Sequence, residues 1–131
     1  MSGPVVRFRI DFGEHSFVGP GKVALLEAVR DAGSLSQAAR DIGMSYRRAW
    51  LLLESLKQSF RKPVTVATTG GKGGGGVALT PFGHDLIRCY RALEVDVAAS
   101  AAKRLRSIAA QINGSPAMTA TPRRPLVRAD R

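Results

Sequence analysis

Ser34-Leu-Ser-Gln-Ala-Ala-Arg-Asp-Ile-Gly43-Met-Ser45-Tyr-Arg-Arg-Ala-Trp-Leu-Leu-Leu-Glu-Ser-Leu-Lys-Gln-Ser-Phe60 reads as helix, tight turn, helix. Ser34 stands at an N-cap position and Gln37, three residues later, completes a capping box, in which each side chain satisfies a backbone donor that the first helical turn leaves unpaired. The spacing predicts a short helix from Leu35, with Ala38, Ala39 and Ile42 as a narrow face that admits a close neighbour. Gly43 ends it where a left-handed backbone is favoured, and Ser45 caps a second helix. There Ala49, Leu52, Leu53, Leu56 and Phe60 recur at helical spacing as one buried stripe, while Ser45, Arg47 and Arg48 stay off it on the first turn. Two helices crossing steeply through a short glycine turn, with polar and basic groups opening the second, are what a helix-turn-helix needs to place side chains in a major groove. An ordinary helical hairpin has the same lengths and caps; the first-turn arginines and the overall charge favour DNA.

Upstream, residues 5–12 alternate from Val6, with Val6, Phe8, Ile10 and Phe12 on one side and Arg7, Arg9 and Asp11 on the other, as in a half-buried strand. Such a strand needs a partner, either a later hairpin or the same strand of a second subunit. Residues 13–19 read as turn and loop. Gly19-Pro20-Gly21 breaks the backbone before a helix over 22–32, whose Leu25, Leu26, Val29 and Ala32 face a core while Lys22, Glu27, Arg30 and Asp31 face water.

Downstream, Arg61-Lys62-Pro63 stops the second helix, and β-branched residues over 64–69, a glycine-rich run over 70–76 and an apolar return over 77–79 predict a loose hairpin. After a helix-turn-helix, that hairpin is a wing. The run lacks the Lys-Ser or Lys-Thr of a P-loop, because Gly73 follows Lys72. As a wing tip it lets bare backbone approach phosphates, with Lys72 as a point charge. Thr80-Pro81 opens a last helix in which Phe82, Leu86, Tyr90, Leu93, Val97, Ala101, Leu105, Ile108 and Ile112 step by threes and fours. Its second part outruns the domain and needs another apolar surface, most economically a second subunit. Residues 113–131, rich in Ala, Thr, Pro and Arg, are expected to be a disordered basic tail.

The 131-residue chain holds 20 Lys and Arg against 10 acids, a formal charge of +10 that favours polyanionic partners. No apolar run reaches the length of a spanning helix and no secretory leader is read, so a soluble cytoplasmic protein, associated with the nucleoid and not with a membrane, is expected. Cys89 is the one cysteine and is expected to pack; with two histidines, His15 and His84, no metal-ligand spacing emerges. His84, near a helix start, reads as a structural histidine. No nucleophile stands in a base-and-orienter arrangement, so no enzyme, catalytic residue, metal or cofactor is expected.

Residues 33–50 (Gly33-Ser-Leu-Ser-Gln-Ala-Ala-Arg-Asp-Ile-Gly43-Met-Ser-Tyr46-Arg-Arg-Ala-Trp50), then Thr69-Gly-Gly-Lys-Gly-Gly-Gly-Gly76 and Leu79-Thr-Pro-Phe-Gly83, resemble the amino-terminal DNA-binding domain of ModE-type, molybdate-responsive bacterial transcription regulators, a winged helix related to that of LysR-type regulators. The resemblance covers roughly residues 19–112. It implies that Ser45, Tyr46, Arg47 and Arg48 open the recognition helix, that Lys72 lies in the wing and that the long helix lies in a dimer interface. Full-length members continue into oxyanion-binding domains that hold molybdate; such domains are not part of this sequence, and no molybdate site is expected in it.

The expected architecture is mainly α with a small β wing: a winged helix-turn-helix over 1–112 with a long C-terminal dimerisation helix, then the tail. The expected function is a homodimeric, sequence-specific regulator on a palindromic operator in double-stranded DNA, linked to molybdate. The alternatives are an architectural DNA-binding protein with little sequence preference and an interaction module for a separate sensor. Candidate DNA-binding residues are Ser34, Ser36, Ser45, Tyr46, Arg47, Arg48 and Lys72, with Arg47 and Arg48 nearest to bases or adjacent phosphates. Trp50 is expected to pack.

Overall fold

The structure, a computed structural model, describes residues 4–69 and 75–113. The expectations for Lys72 and for the tail over 114–131 lie outside the described residues. The chain runs β1 (Ile10–Asp11), β2 (Phe17–Val18), α1 (Pro20–Ala32), α2 (Leu35–Asp41), α3 (Tyr46–Ser59), β3 (Thr65–Thr68), β4 (Gly76–Leu79), α4 (Pro81–Arg104) and α5 (Arg106–Ala109). Three helices, an antiparallel β3–β4 wing paired from Thr65↔Leu79 to Thr68↔Gly76, and a long final helix make the winged helix-turn-helix that the sequence predicts.

One core holds it together. Val23, Leu25, Leu26 and Val29 of α1 are fully buried against Ala38 and Ala39 of α2, Ala49, Leu53 and Leu56 of α3, Val64 ahead of the wing, and Ile87 and Tyr90 of α4. The small alanines of α2 allow its close approach to α1. Ser34 Oγ accepts from Gln37 N at 3.2 Å and Ser45 Oγ from Arg48 N at 3.1 Å, so both serines cap as expected. The capping box stays half made, because the Gln37 amide turns along its own helix, donating to Asp41 at 2.7 Å and accepting from Arg40 at 2.9 Å. Gly43 takes φ +72°, the left-handed turn between α2 and α3.

Contacts far apart in sequence lock the wing and the last helix to this body. Val77 N donates to Gly33 O at 3.0 Å, seating β4 on the α1–α2 turn. Thr80 accepts from Gly83 N at 3.0 Å as the α4 cap and donates to Pro63 O at 2.7 Å. Arg91 of α4 grips both carboxylate oxygens of Glu27 on α1, at 2.9 and 2.7 Å, and also Glu94 at 2.7 Å. These hydrogen bonds hold the Arg91 proton more tightly than in an isolated arginine, Glu27 contributing most.

Four readings change. Among the described residues the amino-terminal strand does not pair with the wing: Ile10 and Asp11 pair with Val18 and Phe17, within what reads as loop in the sequence. Val6, Phe8 and Ile10 are half-buried as expected, but Phe12 is 57% exposed, because the chain has begun its turn there, Phe12 N donating to Ser16 O at 2.7 Å. Lys22 is 2% exposed instead of facing water: the first hairpin folds over the start of α1, where Lys22 Nζ donates to Phe17 O at 3.0 Å and Ser55 Oγ at 2.9 Å and lies 3.6 Å above the Phe17 ring. The final helix does not run unbroken to Ile112 but bends at Leu105 (φ −99°, ψ 10°) into the short α5. Cys89 is exposed instead of packed, since it points almost opposite to its neighbour Ile87 on the helix.

Candidate nucleic-acid interface

The start of α2, the start of α3 and the wing strands converge on one groove of about 420 Å³. Ser34, Leu35 and Ser36 form one wall, Tyr46, Trp50, Glu54 and Lys57 of α3 another, and Thr65, Ala67 and residues 75–77 of the wing the third. The local sequence dictates this convergence. The left-handed Gly43 and the Ser45 cap aim the first turn of α3 outward, while Ala49, Leu53 and Leu56 hold its opposite side in the core.

Of the predicted residues, Ser34, Ser36 and Tyr46 stand together in this groove. Ser34 and Ser45 spend an oxygen lone pair on capping, and each hydroxyl hydrogen remains available to an acceptor such as phosphate. Arg47 is exposed on the first turn of α3, and among the described residues no carboxylate pairs with it. Arg48 is half-buried, with its backbone nitrogen held by Ser45. Neither arginine lines the groove itself.

The residue missed by the sequence reading is Trp50. It is 45% exposed and not packed, one turn from Tyr46, which is 55% exposed. The signal was available: Trp50 falls outside the stripe of Ala49, Leu53 and Leu56 and four residues after Tyr46, so the two share a helix side. Elsewhere several acids are paired, Asp11 with Arg9 at 3.0 Å, Asp31 with Arg30 at 2.9 Å, Glu54 with Lys57 at 3.2 Å and Asp85 with Arg88. Among the described residues Arg47, Arg61 and Lys62 have no acidic partner, and they add to the positive surface field. Among the described residues no three His, Cys, Asp or Glu side chains stand together as metal ligands, and no helix is long and apolar enough to cross a membrane.

Residues 21–84 match the family model for bacterial regulatory helix-turn-helix proteins of the lysR family. The chain is 43% identical over 100 residues to the molybdenum-pterin-binding protein MopB of Rhodobacter capsulatus, across 76% of this chain and 36% of that protein. It is 35% identical over 94 residues to the transcriptional regulator ModE of Haemophilus influenzae, across 72% and 37%. It is 40% identical over 74 residues to the DNA-binding transcriptional dual regulator ModE of Escherichia coli, across 56% and 28%. The chain spans about a third of the length of these relatives. Among solved structures, that of the CbnR_DBD–DNA complex aligns with a TM-score of 0.49 and 20% identity over 67% of this chain and 94% of the other.

Proposed function

We propose, from the match of residues 21–84 to the lysR-family helix-turn-helix model and the likeness of this segment to ModE, that the chain is a sequence-specific transcription regulator, acting in the cytoplasm as a homodimer on a palindromic operator. The observation that carries this reading is the outward first turn of α3, capped by Ser45 and bearing Arg47, which has no carboxylate partner among the described residues, beside a groove closed by the wing. In this assignment Arg47 and Arg48 contact bases or adjacent phosphates, Ser34, Ser36 and Ser45 donate to phosphate oxygens, and Lys72, in the sequence between β3 and β4, supplies charge. Residues 1–112 act as one DNA-binding unit, followed by a basic tail that adds non-specific attraction. The protein works by binding and not by catalysis.

Homodimerisation is supported by the far end of the last helix, where Leu105, Ile108 and Ile112 leave apolar surface exposed. A twofold pair places the two recognition helices about one turn of DNA apart, or a multiple of it. Because relatives over this segment are named for molybdenum and for ModE, the genes under the operator are assigned to molybdate metabolism.

Selection of duplexes from a random library, followed by competition against random DNA at moderate salt, tests the reading. A regulator recovers a two-half-site sequence and holds it at least about a thousandfold more tightly than random duplex. An architectural protein recovers none.

A further inference from the structure

Resting on that reading, we propose that Tyr46 and Trp50 form an aromatic subsite that reads the C5-methyl edge of thymine in the major groove. Two large rings one turn apart on α3 stand about half exposed, and among the described residues neither the Tyr46 hydroxyl nor Trp50 Nε1 finds a hydrogen-bond partner. Aromatic bodies with a free polar tip are the side-chain chemistry of contact surfaces, since burial against a partner gains both area and a hydrogen bond.

The groove beside the rings decides which part of a duplex they meet. Its other walls carry the hydroxyls of Ser34 and Ser36 and the small Thr65 and Ala67. Its charged groups are Glu54 and Lys57, which neutralise each other at 3.2 Å. Among the described residues, a phosphate entering here meets a carboxylate and no unpaired cation, whereas Arg47, adjacent to Tyr46 and outside the groove, offers a positive charge without an acidic partner. The groove is thus matched to base edges, and phosphates are left to its rim. Among the bases, thymine alone presents a methyl group in the major groove, and covering one methyl is worth about fourfold in affinity.

The duplex recovered by the selection above supplies the probe. Each of its thymines is replaced in turn by deoxyuridine, which removes only the methyl group. The expected result is that one or two positions per half-site lose about fourfold or more in wild-type affinity. Trp50→Ala and Tyr46→Ala should bind the thymine and deoxyuridine duplexes equally, and Arg47→Ala, weaker overall, should still discriminate. Trp50→Phe keeps an apolar ring and should keep part of the preference; Trp50→Gln carries the comparison if circular dichroism shows that Trp50→Ala unfolds. Should both aromatic variants discriminate as the wild type does, or the wild type ignore every deoxyuridine, the subsite is wrong while the regulator reading stands. Recovery of no preferred sequence overturns the regulator reading and the subsite with it.

Discussion

The hydroxyl of Tyr90 donates a 2.6 Å hydrogen bond to the backbone oxygen of Phe8, 82 residues away in sequence, and the two rings lie 5.1 Å apart. This contact fastens the amino-terminal segment to α4. Burial, with a smaller push from the Glu94 charge, moves the phenol up to about 12. An unfolded chain releases that proton near pH 10, so the folded state holds it over the interval between. The contribution to stability is therefore whole below about pH 10 and is lost as pH rises through about 12. Denaturant titrations across that interval should show the wild type losing stability faster than Tyr90→Phe, by about 1.4 kcal/mol per unit of separation. At neutral pH the same variant should cost about 1 kcal/mol for the missing hydrogen bond. Parallel pH curves for the two proteins would contradict the assignment.

Gly83 sits where the first turn of α4 presses on the chain entering β3. A methyl group there would lie far inside van der Waals contact with the carbonyl of Val64, a backbone atom that cannot rotate aside. Gly83→Ala should therefore destabilise the fold by about 1 to 3 kcal/mol, although alanine is the better helix former. Urea unfolding measures it, and an unchanged midpoint would show that the wing root yields without cost.

Helix periods, both serine caps, the Gly43 turn and the wing were legible because each is a local rule: a spacing, a cap, a backbone that favours glycine. What escaped was set by distant packing. Lys22 reads as a surface cation until the first hairpin brings Phe17 over it, and that hairpin is too short to announce itself by alternation. Cys89 sits in an apolar stretch, yet which side of α4 meets the core depends on where α1 lies. Trp50 is a partial case: its position off the Ala49, Leu53 and Leu56 stripe is legible in the sequence, but that its side of α3 turns towards the wing follows from the packing.

Arg48→Ala and Lys72→Ala should separate in kind. Losing a base contact by Arg48 should cost about 1 to 3 kcal/mol on the selected operator and relax its sequence preference at one position. Losing Lys72, proposed as a phosphate contact, should weaken all sequences alike and lower the salt slope by about one. Titrations at several salt concentrations on operator and random duplex provide both readouts. Equal losses on the two duplexes for both variants would remove the division of labour.

The proposed dimer is open to a test that leaves the proposed DNA-contacting residues untouched. Within the described residues, Ile108 and Ile112 are 59% and 62% exposed, and Leu105 precedes them on the same side of the bent helix end. This stripe takes no part in the core that Ile87 and Tyr90 join, so it is apolar surface left past that core. Covering each such side chain contributes about 1.5 to 3 kcal/mol, enough for a few of them to hold two copies together. Ile108→Asp places a charge in that seam, where desolvating it opposes association, but leaves the monomer core intact because Ile108 takes no part in it. Sedimentation should therefore find a dimer for the wild type and a monomer for Ile108→Asp, with the thermal midpoint of the monomeric unit little changed. On a two-half-site operator the variant should lose the gain from linked binding, tens of fold or more, yet match the wild type on a single half-site. A wild type that sediments as a monomer would remove the dimer, and an Ile108→Asp dimer as firm as the parent would place the subunit contact elsewhere.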